Sequence, residues 1–121
     1  TDYALLEEVL PKLQAIAAKQ YVPDTKTVMK TVTEFQSMDE VPGTAALLKL
    51  VQEAAAECNL PQPTAKAVGG GSDSAYATAA GVPTICAIGV QGARNHTAEE
   101  FAVVDTLFSR CKLFSTIMIN I

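Results

Sequence analysis

Gly69-Gly70-Gly71-Ser72-Asp73-Ser74-Ala75-Tyr76 is the stretch on which the fold turns. Three bare glycines let the backbone bend without a Cβ penalty and come close to a ligand. The Ser-Asp behind them suits a helix start whose N–H groups can hold an anion. Upstream, Thr64 to Val68 is short enough for a strand running into the glycines. Downstream, Asp73 to Ala80 predicts a short helix closed by Gly81, with Pro83 beyond it. Thr84-Ile85-Cys86-Ala87-Ile88 then forms a nearly continuous apolar run, as expected of a strand covered on both faces. Strand, glycine turn, helix and strand predict a βαβ unit.

Helical periodicity dominates the rest of the chain. Leu47, Leu48, Val51, Ala54, Ala55 and Cys58 make a helical stripe, with Thr44 as a possible N-cap and Asn59-Leu60-Pro61 as the stop. Leu107, Phe108, Cys111, Phe114, Ile117 and Met118 share one face of a last helix that Asp105 can cap, and its apolar end predicts deep packing. Gly89 to Asn95 is expected to be a loop, and Thr97 and Glu100 stand in capping-box register. At the other end, Leu6, Val9, Leu13, Ile16 and Ala17 predict an amphipathic helix, kinked at Pro11 or restarting with Pro11 in its first turn. Six of the eleven residues from Thr25 to Phe35 are Thr or Val and follow the turn signal Pro23-Asp24, which predicts a strand. Gln36 to Pro42 is mostly polar and leads into Gly43, so a domain boundary is expected near it. The fold class expected is α+β, with one part over residues 1–36 and a βαβ-containing part over residues 37–121.

Composition narrows the function. At 49% hydrophobic and 18% charged, the chain has the make-up of a globular domain rather than a disordered tail. A net charge of −4, with the basic residues scattered, argues against nucleic acid as a partner. No apolar run reaches the roughly 20 residues of a membrane-spanning helix, and no secretory pattern opens the chain, so no membrane partner is expected. Cys58, Cys86 and Cys111 are odd in number and sit in apolar segments, which favours core thiols and a reducing, cytoplasmic setting. Thr1 stands where an initiating Met would be, and the chain is expected to be part of something longer.

Chemistry concentrates at two places. The glycine turn is either an anion cradle or a turn needed only for packing, and it matches neither the spaced dinucleotide fingerprint nor the phosphate-binding loop. His96, the only histidine, offers a metal ligand or proton carrier, or is a loop residue bonded to backbone. Thr97 and Glu100 fit a cap better than a catalytic role, and Asp73 could be a first-turn acid offsetting the helix dipole.

Taken together, Gly69 to Tyr76, Gly81-Val82-Pro83-Thr84 and the Gly-x-x-Gly-x-x-x-His-Thr-x-x-Glu run from Gly89 to Glu100 resemble the C-terminal end of a known enzyme family. It is the zinc-dependent aminoacylase and carboxypeptidase family, which includes glutamate carboxypeptidase, acetylornithine deacetylase and succinyl-diaminopimelate desuccinylase. The resemblance implies that residues 1–36 are the second half of a lid domain through which such enzymes dimerise. Residues 37–121 would be the last part of the catalytic domain. It implies that His96 is the last ligand of a pair of divalent ions, usually zinc. Gly71 and Ser72 would receive the substrate's carboxylate or acyl end, and Asp73 would brace that turn. The family's His-x-Asp segment, second acidic ligand, Glu-Glu pair and Arg-bearing lid strand normally lie upstream and have no counterpart in this sequence.

The function expected is therefore a share in a di-zinc hydrolase that cleaves the amide bond of a small peptide or N-acyl amino acid, inactive alone and homodimeric through the lid. The alternatives are a free-standing anion-binding module, or an oligomerisation module pairing through the segment from Thr25 to Phe35.

Overall fold

The computed structural model describes residues 3–121, with side-chain surroundings from residue 7 onward. Thr1 and the packing of Leu6 lie outside the described residues. In chain order the elements are α1 (Tyr3–Ala17), α2 (Thr44–Glu57), α3 (Ser74–Ala79), β1 (Gly92–Ala93), β2 (Phe101–Ala102) and α4 (Asp105–Asn120). Helices with a small antiparallel sheet make the chain α+β. The residues fall into two compact units. One joins the chain up to Asp39 with Gly69–Val82, and the other joins Glu40–Val68 with Pro83–Ile121.

The second unit holds the main core, where α2 packs on α4. Val51, Ala54 and Ala55 meet Leu113 and Ile117, with Leu50, Leu60, Ile85 and Ile88 closing over them. The α2 stripe follows its sequence periodicity, with Val51, Ala54, Ala55 and Cys58 buried and Leu47 and Leu48 half-buried. Its end is a Schellman arrangement, in which the Leu60 N–H donates to the Ala55 carbonyl at 2.8 Å and Asn59 sits in the left-handed region at φ 57°. At its start Gly43 occupies the cap position and Thr44 is already helical. The Thr44 hydroxyl accepts from the Val41 N–H at 3.2 Å.

The packed face of α4 shares only Ile117 with the expected stripe. Leu113 and Ile117 are buried, whereas Leu107, Phe108, Phe114 and Met118 are exposed, as is Cys111. The face in contact is turned by one residue, about 100° around the axis, from the stripe predicted by hydrophobicity. Shape accounts for this. The alanines of α2 admit a close approach that suits Leu113 and Ile117, flanked by Ser109 and Thr116, and the Thr116 hydroxyl meets the Cys58 thiol at 3.3 Å. Asp105 lies in the first turn beside the helix dipole rather than at the cap, which is Val104. Of the three cysteines, Cys58 alone is buried, so the expectation of three core thiols holds for that one.

The expected strands at 25–35, 64–68 and 84–88 carry no ladder. A strand exists through its neighbours, and among the described residues the paired strands are β1 and β2. Ala87, at φ 61°, also breaks the extended run 84–88. The βαβ unit is thus present as its helix, α3, without flanking strands. The loop expected after Gly89 is instead a hairpin, with Gly92 opposite Ala102 and Ala93 opposite Phe101. Gly92 is required there, because a Cβ would run into the Phe101 carbonyl oxygen. The ladder continues through Val103 N–H to the Gln91 carbonyl at 2.8 Å. The Gln91 N–H donates to the Thr106 hydroxyl at 3.0 Å, which ties the hairpin to the start of α4.

In the first unit α1 runs unbroken through Pro11, and its apolar positions Val9, Leu13 and Ile16 remain exposed. The helix α3 buries Ala75 and Thr78 and ends as expected at Gly81, with the Val82 N–H donating to the Ala77 carbonyl at 3.0 Å.

The α2–α4 contact sets a stability test. Leu113→Ala should lower unfolding free energy by about 2–4 kcal/mol, and Phe108→Ala, on an exposed position, should change it by less than about 0.5 kcal/mol. Urea melts of the two variants measure this, and equal losses would contradict the observed helix face.

Candidate functional site

His96 rides on the hairpin loop, between β1 and β2, and is exposed. Two consecutive turns build the loop: the Thr97 N–H donates to the Arg94 carbonyl and the Glu100 N–H to the Thr97 carbonyl, each at 3.2 Å. Arg94 and His96 both take left-handed backbone, at φ 60° and 65°. Such a conformation costs a non-glycine residue about 1–2 kcal/mol and must be held by its surroundings. Thr97 and Glu100 do the holding. The Thr97 hydroxyl donates to the Arg94 carbonyl at 2.8 Å and accepts from the Glu99 N–H at 3.2 Å. Glu100 Oε2 accepts from the backbone N–H of His96 at 3.1 Å. The residue types of a capping box therefore close a turn, not a helix start, because the backbone they bridge turns back into β2. An ion pair between Arg94 Nη1 and Glu99 Oε2, 3.5 Å apart and well exposed, adds little.

The arrangement leaves the imidazole outward. Its ring makes no hydrogen bond to the described residues, while its backbone is pinned by the Glu100 carboxylate. That suits a ligand or proton carrier. The donor set for a metal is incomplete, however: among the described residues no group of three or more His, Cys, Asp or Glu side chains could hold an ion. Metal chemistry would need donors beyond those the described residues bring together.

Gly71, Ser72 and Asp73 belong to the other unit. A Cβ on Gly71 would stand 3.3 Å from the Phe35 ring, so glycine lets that ring lie on the turn. The Ser72 hydroxyl accepts from the Ser74 N–H at 3.2 Å, the Ala75 N–H donates to the Ser72 carbonyl at 3.0 Å, and the Tyr76 N–H donates to the Asp73 carbonyl at 3.1 Å. The first amides of α3 are thus used within the turn. Asp73 stands at the cap position without a side-chain cap bond, and the Ser72 hydroxyl fills that role.

Between the hairpin and α4 lies a hollow of about 710 Å³, lined by Gln91, Asn95, Glu100, Phe101, Ala102 and Arg110, among others. Arg110 is half-buried. Periodicity placed no apolar residue at 110 and so gave no reason to single it out. Its position one turn before Leu113 on the packed side of α4 is what brings it to the hollow.

The family model for peptidase family M20/M25/M40 matches residues 10–120. The chain belongs to that family of metallopeptidases, which agrees with the hydrolase resemblance carried by the glycine turn and the His96 segment. No curated protein and no solved structure matches it. No helix among the described residues is long and apolar enough to cross a membrane.

The pinning of His96 is testable by amide hydrogen exchange. Glu100→Ala should speed exchange at the His96 amide about fivefold, the equivalent of about 1 kcal/mol for one hydrogen bond. Glu100→Gln keeps an acceptor and should fall between. Unchanged exchange in both would show that the carboxylate does not hold the loop.

Proposed function

We propose that this chain supplies part of the site of a metal-dependent hydrolase that cleaves the amide bond of a small peptide or N-acyl amino acid. Its share is one ligand, His96, to a pair of divalent ions, zinc by the family's habit, together with a cradle at Gly71 and Ser72 for the substrate's carboxylate or acyl end. The remaining ligands and the general base belong to parts of the parent protein outside these residues. In this reading residues 1–36 belong to a lid domain and residues 37–121 to the catalytic domain.

The observation that carries the proposal is the loop of His96: an outward imidazole on a backbone held in a costly conformation, in a chain that belongs to a metallopeptidase family. Left-handed backbone also occurs at Asp24, Asn59, Ala87 and Arg94; His96 combines it with an exposed side chain and a carboxylate on its amide. The chemistry a metal supplies in such a centre is polarisation of the scissile carbonyl and acidification of a water. What this chain's residues do is narrower. Glu100 and Thr97 hold the backbone that carries the imidazole.

Two measurements test the division. With zinc added, the chain alone should release no free amine from N-acetyl amino acids, and measurable turnover would refute an incomplete centre. In a zinc titration followed by NMR, the His96 ring signals should shift first, and His96→Gln should abolish the effect. Shifts elsewhere with the ring unmoved would refute ligation.

A further inference from the structure

We propose that Thr106 is a positioning residue for His96: its hydroxyl completes the last rung of the hairpin that carries the imidazole, and so links that loop to the α2–α4 core. The proposal rests on the reading of His96 as a metal ligand and adds to it a side chain that touches neither ion nor substrate.

The register that sets Gly92 opposite Ala102 sets Gln91 opposite Val103, one residue further from the loop. Two residues paired this way in an antiparallel ladder exchange both of their N–H···O bonds. One of the two is direct, from the Val103 N–H to the Gln91 carbonyl at 2.8 Å. The other runs through α4: the Gln91 N–H donates to the Thr106 hydroxyl at 3.0 Å, and that hydroxyl donates to the Val103 carbonyl at 2.6 Å. A side chain from the first turn of the helix thus stands inside the ladder as a relay.

The hairpin depends on such a tie. Gly92, Ala93, Phe101 and Ala102 are all exposed. Among the described elements, β1 and β2 pack on each other while α4 packs on α2. A two-stranded ribbon without a buried face is marginal in water. At its mouth Ala93 faces Phe101, and from there the chain enters the loop in which the Glu100 carboxylate accepts the His96 N–H. Opening of the ladder frees Arg94 and Glu100 from each other and releases that bond. Thr106 is half-buried and stands on a helix whose Leu113 is wholly buried, so its hydroxyl carries the position of the helix pair to the backbone of the imidazole.

Amide hydrogen exchange of the whole chain, without metal, tests this. Thr106→Val keeps the shape of the side chain and removes the relay. It should speed exchange at Gln91 about fivefold, as expected for one lost hydrogen bond, and at His96 by about twofold or more as the ladder opens. Leu113 and Ile117 should exchange as in the native chain. Thr106→Ser keeps the hydroxyl and should restore both rates. In a zinc titration the His96 ring signals of Thr106→Val should need more zinc to shift than those of Thr106→Ser. An unchanged His96 amide in Thr106→Val, or equal speeding at Leu113, would overturn the positioning role. Because exchange is read without metal, that failure is distinct from a failure of His96 to bind zinc, which the ring signals of the native chain report.

Discussion

The contact of Val51, Ala54 and Ala55 on α2 with Leu113 and Ile117 on α4 is the constraint from which the second unit follows. It joins segments far apart in sequence, and burial of each larger side chain is worth about 1.5–3 kcal/mol against the entropy of closing the chain between them. The alanines matter as much as the larger residues. They let the helices come close, and the face of α4 that fits is the one carrying Leu113, Ile117 and Thr116. Arg110 lies on that side, one turn earlier, and the first turn holds Thr106, whose hydroxyl receives the Gln91 N–H. The hairpin, its His96 loop and the hollow beside it all take their places from this helix pair.

The apolar content of the chain exceeds what this core uses. Val32, Phe108, Met118 and Ile119 are largely exposed, and the apolar positions of α1 are open. Exposed apolar surface on this scale is uncommon in a self-sufficient monomer. It supports the proposal that these faces meet further polypeptide in a larger enzyme, alongside the incomplete donor set around His96.

What could be read from the sequence was what depends on local geometry. The α2 stripe, its Asn59 stop and the Gly81 exit of α3 follow from helical spacing and left-handed turn residues, and they formed as read. The packed face of α4 is not legible in its sequence because the helix is apolar on more than one side, and the shape of α2 decides among them. The three strands were not legible, since β-propensity describes a residue's fitness for a sheet and says nothing of whether a neighbouring strand is there. At the site, the His96 segment stood out by residue type, but its hairpin depends on Gly92 facing Phe101, a pairing too short to leave an alternating pattern. The place of Arg110 beside the hollow is hidden for the same reason: it comes from a rotation set by tertiary packing.

Native-state hydrogen exchange across the chain tests the central role of the helix pair most directly. Amides of residues 51–58 and 113–117 should exchange slowest and together, and those of the hairpin and of 25–35 faster. Residues 51–58 and 113–117 exchanging as fast as the hairpin, or at unrelated rates, would contradict the account, because the α2–α4 contact would then not hold the second unit together.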